Sequence, residues 1–207
     1  MLVPEVTAKE IQRLRHDAGV GMMDAKQALV DADGDFDKAF DLLREKGLAK
    51  AAKRSDREAG EGAVGVYLHF QNERPVVGVL VELVCETDFV AKSDEFKTTA
   101  NDIALHVSWA APRWVSRAHV DEEVLSKESE MIARQASAEG KPDSVIPKMV
   151  EGRLEKFYEE NVLYDQTFVN TERFDGTVGE MVAQLAAKMG ENIGVRRVER
   201  VAIGEGA

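Results

Sequence analysis

The residues able to do covalent or metal chemistry are few and scattered. His16, His69, His106 and His119 stand far apart and form no His-Glu-x-x-His pair, so the usual donor spacing of a catalytic zinc is lacking. The single cysteine, Cys85, follows Val81 and Leu83 at alternate positions of a β-branched run. That spacing puts its thiol on the apolar face of a strand, where it reads as a core residue rather than a nucleophile. One cysteine permits neither an intramolecular disulfide nor a multi-cysteine metal cluster, which fits a reducing compartment. There is no Gly-x-Ser-x-Gly elbow, no phosphate-cradling glycine loop and no dinucleotide fingerprint. Glu86 and Asp88 could act as an acid–base pair, but a turn at the end of a strand accounts for them more simply. The chemistry-bearing residues argue against an enzyme, and no cofactor or metal is expected.

Two stretches read as contact surfaces. In Gly21-Met22-Met23-Asp24-Ala25-Lys26, two methionines open a helix. Successive helical positions point about 100° apart, so both cannot face the core of a small bundle. An exposed methionine suits a partner surface because it is flexible and polarizable. The other reading leaves both half-buried at the bundle edge. In Cys85-Glu86-Thr87-Asp88-Phe89-Val90, a large ring directly follows an acid between a strand and a new helix. Connections between rigid elements are where binding residues sit. Phe89 either folds back onto Phe96 and the sheet, or stands out as an apolar wedge oriented by Asp88.

The elements that must position these residues follow from the pattern. The chain has 207 residues, 38 acidic against 27 basic, and a net charge of −11. This is a globular composition without a nucleic-acid-covering basic surface. No apolar run is long enough to span a membrane, and Met1-Leu2-Val3-Pro4-Glu5 lacks the features of a signal peptide, so the cytoplasm is expected. Thr7 with Glu10 is a capping-box pair opening the first of three short helices. The second spans Met22 to about Ala32, and the third is capped by Asp35 and ends at Gly47. Residues Leu48 to Gly62 read as a linker, helical at its start, or as a solvated extension of the helix. Val64, Val66, Leu68 and Phe70 alternate with Gly65, Tyr67 and His69, and Val76 to Glu86 is a second strand with one fully apolar face. The sheet is therefore covered by helices on one side and partly wet on the other.

Ser93 or Asp94 opens a helix that Pro112 stops. A helical hairpin is expected over about 121–160, its second helix running from about Asp143. Thr177 with Glu180 caps a helix closed by Gly190, and Ile193 to Ile203 reads as a charged edge strand returning to the hairpin. The fold class is α+β, with a three-helix N-terminal module over residues 1–54 and a core over 55–207.

In order and spacing, these residues resemble the bacterial elongation factor Ts family over nearly the whole chain. The resemblance rests on Gly19-Val20-Gly21-Met22-Met23-Asp24-Ala25-Lys26, Gly34-Asp35, Leu43-Arg44-Glu45-Lys46-Gly47, Cys85-Glu86-Thr87-Asp88-Phe89-Val90, Gly140-Lys141-Pro142, Glu151-Gly152-Arg153-Leu154-Glu155-Lys156-Phe157, Phe168-Val169 and Gly204-Glu205-Gly206. It implies a guanine-nucleotide exchange factor for elongation factor Tu, acting in translation elongation. The N-terminal module would be ubiquitin-associated-like and dock on the nucleotide-binding domain through Met22, Met23 and Lys26. Thr87, Asp88, Phe89 and Val90 would form the loop that dislodges Mg²⁺ from the bound nucleotide, which favours an exposed Phe89. Where the family usually has Gln-Pro-Phe-Val, this chain has Gln166-Thr167-Phe168-Val169, so a partner role for Phe168 is not carried over. The chain looks like the compact form with one sheet subdomain, and homodimerisation is left open. Two rival readings are an adaptor whose helical module binds another protein, and a thiol enzyme built on Cys85.

Overall fold

The computed structural model describes residues 6–18 and 20–205, and the backbone alone at 48 and 50–52. Met1 to Glu5, Gly19 and Gly206, which entered the reading above, lie outside the described residues. The fold is α+β, and it divides into two compact units. One comprises the chain up to Gly62 together with Val84–Ala91 and Val182–Gly194. The other comprises Ala63–Leu83, Lys92–Met181 and the chain from Val195.

The first unit opens with α1 (Ala8–Ala18), α2 (Met22–Asp31) and α3 (Phe36–Ala52). The capping box forms as the spacing predicts. The Glu10 carboxylate accepts the Thr7 N–H at 2.9 Å and its hydroxyl at 2.6 Å, while the Glu10 N–H donates to Thr7 Oγ1 at 3.3 Å. Leu14, Leu29 and Leu43 are buried with Ala25, Ala28 and Ala39 between them, and these alanines keep the three helices close. Asp35 caps α3 by accepting the Lys38 N–H at 3.1 Å.

The reading that ends this helix at Gly47 is corrected, because α3 runs on to Ala52. Gly47 is not a C-cap. A Cβ there would lie 3.1 Å from Ala187 Cβ, so the glycine serves a close helix approach. The alanines and lysines that follow are good helix formers and carry the helix past it. The same unit holds the one-turn helix α4 (Asp88–Ala91).

The sheet is three-stranded and antiparallel, in the order β1 (Glu61–Gln71), β2 (Arg74–Cys85), β3 (Gly194–Ala202). The hairpin turn is tighter than expected. Asn72 and Glu73 both have positive φ, at 49° and 63°, as in a two-residue turn of type I′, so β2 begins at Arg74 rather than Val76. A Cβ at Gly65 would lie 2.1 Å from the Ala100 carbonyl oxygen. Only glycine lets helix α5 (Asp94–Ala110) approach β1 this closely.

Helix α5 therefore covers the face that carries Gly65, and it buries Phe96, Ala100, Ile103 and Val107 there, with Val79, Val81 and Leu83 of β2 also inside. Ser93 is its N-cap, accepting the Phe96 N–H at 3.3 Å. The opposite face is open: Val64, Val66, Leu68, Phe70 and Leu80 are about half-exposed or more, at 49–60 %. β3 is the charged edge strand, with Arg196 and Arg197 both reaching Glu82, at 3.1 and 3.5 Å.

Helices α6 (Glu122–Ala138) and α7 (Ile146–Asn161) form the expected hairpin. α7 starts three residues later than Asp143, because Pro147 lacks an N–H and is accommodated only in the first turn. Arg117 pins the hairpin's base, donating to Glu155 at 2.7 and 3.0 Å and to Asp165 at 2.8 Å. Helix α8 (Val178–Met189) opens on the Thr177–Glu180 capping box and stops at Gly190, which has φ +75°.

In the second unit a buried histidine organises the chain before α8. The Gln166 amide nitrogen donates to the Glu160 and Ala110 carbonyls at 2.9 and 3.5 Å, which turns its oxygen to His106 Nε2 at 3.0 Å. His106 therefore carries its proton on Nε2, and its bare Nδ1 accepts the Val169 N–H at 3.3 Å. Phe168 stacks on the imidazole and is buried, so it presents no ring to a partner.

Burial holds His106 below the ordinary imidazole value near 6.5, opposed in part by Gln166. A second proton would face an N–H and a low-dielectric wall. The unfolded chain thus takes up this proton more readily, and the contribution to stability is present above about pH 6.5 and is lost as pH falls. Urea denaturation at about pH 7.5 and 5.5 is expected to show a smaller loss of stability for His106→Gln than for the unsubstituted protein. Equal losses would show that His106 does not carry the pH dependence.

Candidate functional site

The Thr87–Asp88–Phe89–Val90 stretch is a turn built around one threonine. β2 ends at Cys85, and α4 begins at Asp88. The Thr87 hydroxyl oxygen accepts the Val90 N–H at 3.4 Å, and its carbonyl accepts the Ala91 N–H at 3.2 Å, which closes the single turn of α4. The Cys85 thiol donates to the same carbonyl at 3.2 Å.

A carboxylate from the far end of the sequence completes the turn. Glu191 Oε2 accepts the N–H groups of Glu86 and Thr87, at 3.0 and 3.1 Å, and its Oε1 accepts the Thr87 hydroxyl at 2.6 Å. Glu86 answers from the other side, its Oε1 accepting the Asn192 N–H at 2.6 Å and pairing with Arg57 at 3.4 Å. The Asn192 side-chain amide donates to the carbonyls of Ser55 and Arg57, at 3.1 and 2.7 Å. Glu86 is thus a structural turn residue, and no group of three or more His, Cys, Asp or Glu side chains among the described residues is placed to hold a metal ion.

The side chains of α4 divide by direction. Val90 and Ala91 are buried, and Val90 is only 6 % exposed, so it anchors the turn from inside and offers little to a partner. Asp88 lies on the surface, and Phe89 is 84 % exposed, which answers the question left open by the sequence. A phenylalanine in water forgoes roughly 1.5–3 kcal/mol of burial, and Phe89 is more exposed than the other rings that stand out, Trp109 at 69 % and Phe70 at 55 %.

The N-terminal candidates share a second surface. Met22 and Met23 are 51 % and 77 % exposed, and Lys26 is exposed as well. Lys26 lies one turn after the methionines, so the three make one outward face of α2, while Ala25, Ala28 and Leu29 fill the bundle core on the other. Met23 stands clear of the bundle, and Met22 is half-exposed.

The residues that sequence reasoning missed are Glu191, Asn192 and Arg57. Local spacing gave no signal for them. The only cue was the polar pair Glu191-Asn192 placed between the helix stop Gly190 and a β-rich run.

Cys85 is fully buried, and burial together with the Glu191 charge pushes its thiol above the ordinary cysteine range. A thiol in this state is a poor nucleophile. Ellman's reagent is expected to find no reactive thiol in the folded protein and one thiol per chain in denaturant. Prompt reaction in the native state would revive the thiol-enzyme reading.

The family model described as Elongation factor TS matches residues 37–175. Elongation factor Ts of Thermosipho melanesiensis is 48 % identical over 200 residues, covering 97 % of this chain and 100 % of that protein. The Fervidobacterium nodosum factor is 47 % identical over 201 residues, with 97 % and 100 % covered, and that of Carboxydothermus hydrogenoformans 49 % over 201 residues, with 97 % and 90 % covered. The chain belongs to the elongation factor Ts family, a family of protein-biosynthesis factors.

Proposed function

We propose that this protein is a guanine-nucleotide exchange factor that binds the GDP-bound form of elongation factor Tu in the cytoplasm and speeds GDP release, so that GTP can enter. The exposed Phe89 ring, set on a turn hydrogen-bonded from both sides, is the observation that carries the reading. Phe89 enters an apolar gap between two helices of the GTPase near its Mg²⁺ site, with Asp88 beside it and Val90 holding the turn from within. Residues 1–54 act as the docking module through Met22, Met23 and Lys26, and residues 55–207 form the core that carries the wedge. The partner is a protein and not a nucleic acid or a membrane. The net charge of −11 argues against nucleic acid, and no described helix is long and apolar enough to cross a membrane.

The mechanism needs no covalent step on this chain. Binding energy gained by burying Phe89, of order 1.5–3 kcal/mol, offsets the cost of shifting the elements that hold Mg²⁺. Loss of the cation removes the charge that neutralises the nucleotide phosphates. Linkage then requires the factor and GDP to weaken each other's binding by the same ratio. In stopped-flow release of a fluorescent GDP from elongation factor Tu, Phe89→Ala is expected to retain docking yet lose most of the acceleration. Unchanged acceleration would reject the wedge.

A second reading concerns self-association, and the open sheet face favours it. Val64, Val66, Leu68, Phe70 and Leu80 form one contiguous apolar surface, and such surfaces mark interaction sites. A second copy can present the same face across a two-fold axis, giving the aligned packing of two sheets. Sedimentation is expected to show a dimer that Leu68→Glu converts to a monomer. A monomer at every concentration would refute the face as a self-contact.

A further inference from the structure

We infer that Glu191 is a positioning residue for the Phe89 wedge, acting through Thr87 and touching no partner itself. The inference rests on the exchange reading above and deepens it. Phe89 is 84 % exposed, so its ring is not held by packing against its own molecule. Its position follows the backbone on which it stands. That backbone has two anchors. One is the buried pair Val90 and Ala91 after the ring. The other lies before it, where the N–H groups of Glu86 and Thr87 and the Thr87 hydroxyl all converge on the Glu191 carboxylate, at 3.0, 3.1 and 2.6 Å.

The geometry suits a carboxylate acceptor. Three donors point at two oxygens, and an anion accepts all of them at once, with charge-assisted strength. The Thr87 hydroxyl proton is thereby committed to Glu191, which leaves the hydroxyl oxygen free to accept the Val90 N–H and cap α4. The carboxylate thus acts twice. It stops the chain from swinging at Glu86–Thr87, and it sets the polarity of the cap that starts the turn bearing Phe89. Glu86 and Asn192 make the contact reciprocal, since Glu86 Oε1 accepts the Asn192 N–H at 2.6 Å. Pre-organising a contact residue lowers the ordering cost of reaching the productive geometry, and a misplacement of about 1 Å can cost a large factor in rate.

Full-length variants separate positioning from docking. The release of fluorescent GDP from elongation factor Tu is measured across factor concentration, giving a maximal rate and a half-saturating concentration. Glu191→Ala is expected to lower the maximal rate roughly tenfold or more, with a smaller change in half-saturation. Glu191→Gln retains acceptors for the two N–H groups and is expected to recover part of the rate. Amide hydrogen exchange at residues 87–90 is expected to quicken in Glu191→Ala while exchange in α1–α3 stays as it was.

If Glu191→Ala does not fold, Thr87→Val takes its place, because it removes only the hydroxyl and leaves both N–H contacts. A lowered maximal rate in that variant together with quickened amide exchange at residues 87–90 supports the inference, and a rate that is unchanged, or lowered with that exchange as it was, overturns it. Phe89→Ala is the control. If Phe89→Ala is impaired while folded Glu191→Ala exchanges normally, or shifts only half-saturation, the positioning role is refuted and the exchange reading survives. If Phe89→Ala exchanges normally, the wedge is rejected and the positioning role goes with it, while exchange itself stands; if the unsubstituted protein does not accelerate release, the exchange reading fails.

Discussion

An apolar ring held in water needs a backbone that cannot turn it inward. Phe89 meets that condition because Val90 and Ala91 are buried behind it and the Glu191 carboxylate gathers the donors in front of it. Much of the molecule contributes to this one junction. β2 delivers the chain to it, and Gly190 ends α8 so that Glu191 and Asn192 fall opposite the strand end. The segment after α3 supplies the Ser55 and Arg57 carbonyls that hold Asn192. The same junction explains the silence of Cys85, whose thiol is spent on the Thr87 carbonyl and shielded from solvent.

Elements whose ends carry local chemistry were legible in the sequence. The two capping boxes, Thr7–Glu10 and Thr177–Glu180, form with both reciprocal hydrogen bonds, and Ser93 caps α5 as its position requires. The alternation of β1 and β2 gave the hairpin and the one-sided cover of the sheet. The errors fell at a glycine with a tertiary reason and at a turn of unusual composition. Gly47 looks like a helix stop, yet it is there because Ala187 lies against it. The turn Asn72-Glu73 needs two residues of positive φ, and glutamate is an unusual occupant of that place, so the hairpin was read as looser than it is.

The site was legible in part. Spacing showed that Met22 and Met23 cannot both face the core, but it could not choose between an inward and an outward Phe89. That choice depends on a hydrogen bond spanning 104 residues, from Thr87 to Glu191, and no local pattern announces such a contact. Val90 shows the converse limit. It belongs to the same short motif as Phe89, but one step along a helical turn sends it into the interior. A motif read as a string treats the two alike, whereas the fold gives one to the surface and the other to the anchor.

The most direct test of the account follows the ring itself. With 4-fluorophenylalanine at position 89, the ¹⁹F resonance should report a solvent-exposed ring in the free protein. On addition of elongation factor Tu it should shift, broaden and lose its sensitivity to exchange of H₂O for D₂O, as the ring enters an apolar gap. A resonance that stays solvent-exposed in a complex shown to be fully formed would contradict the central claim.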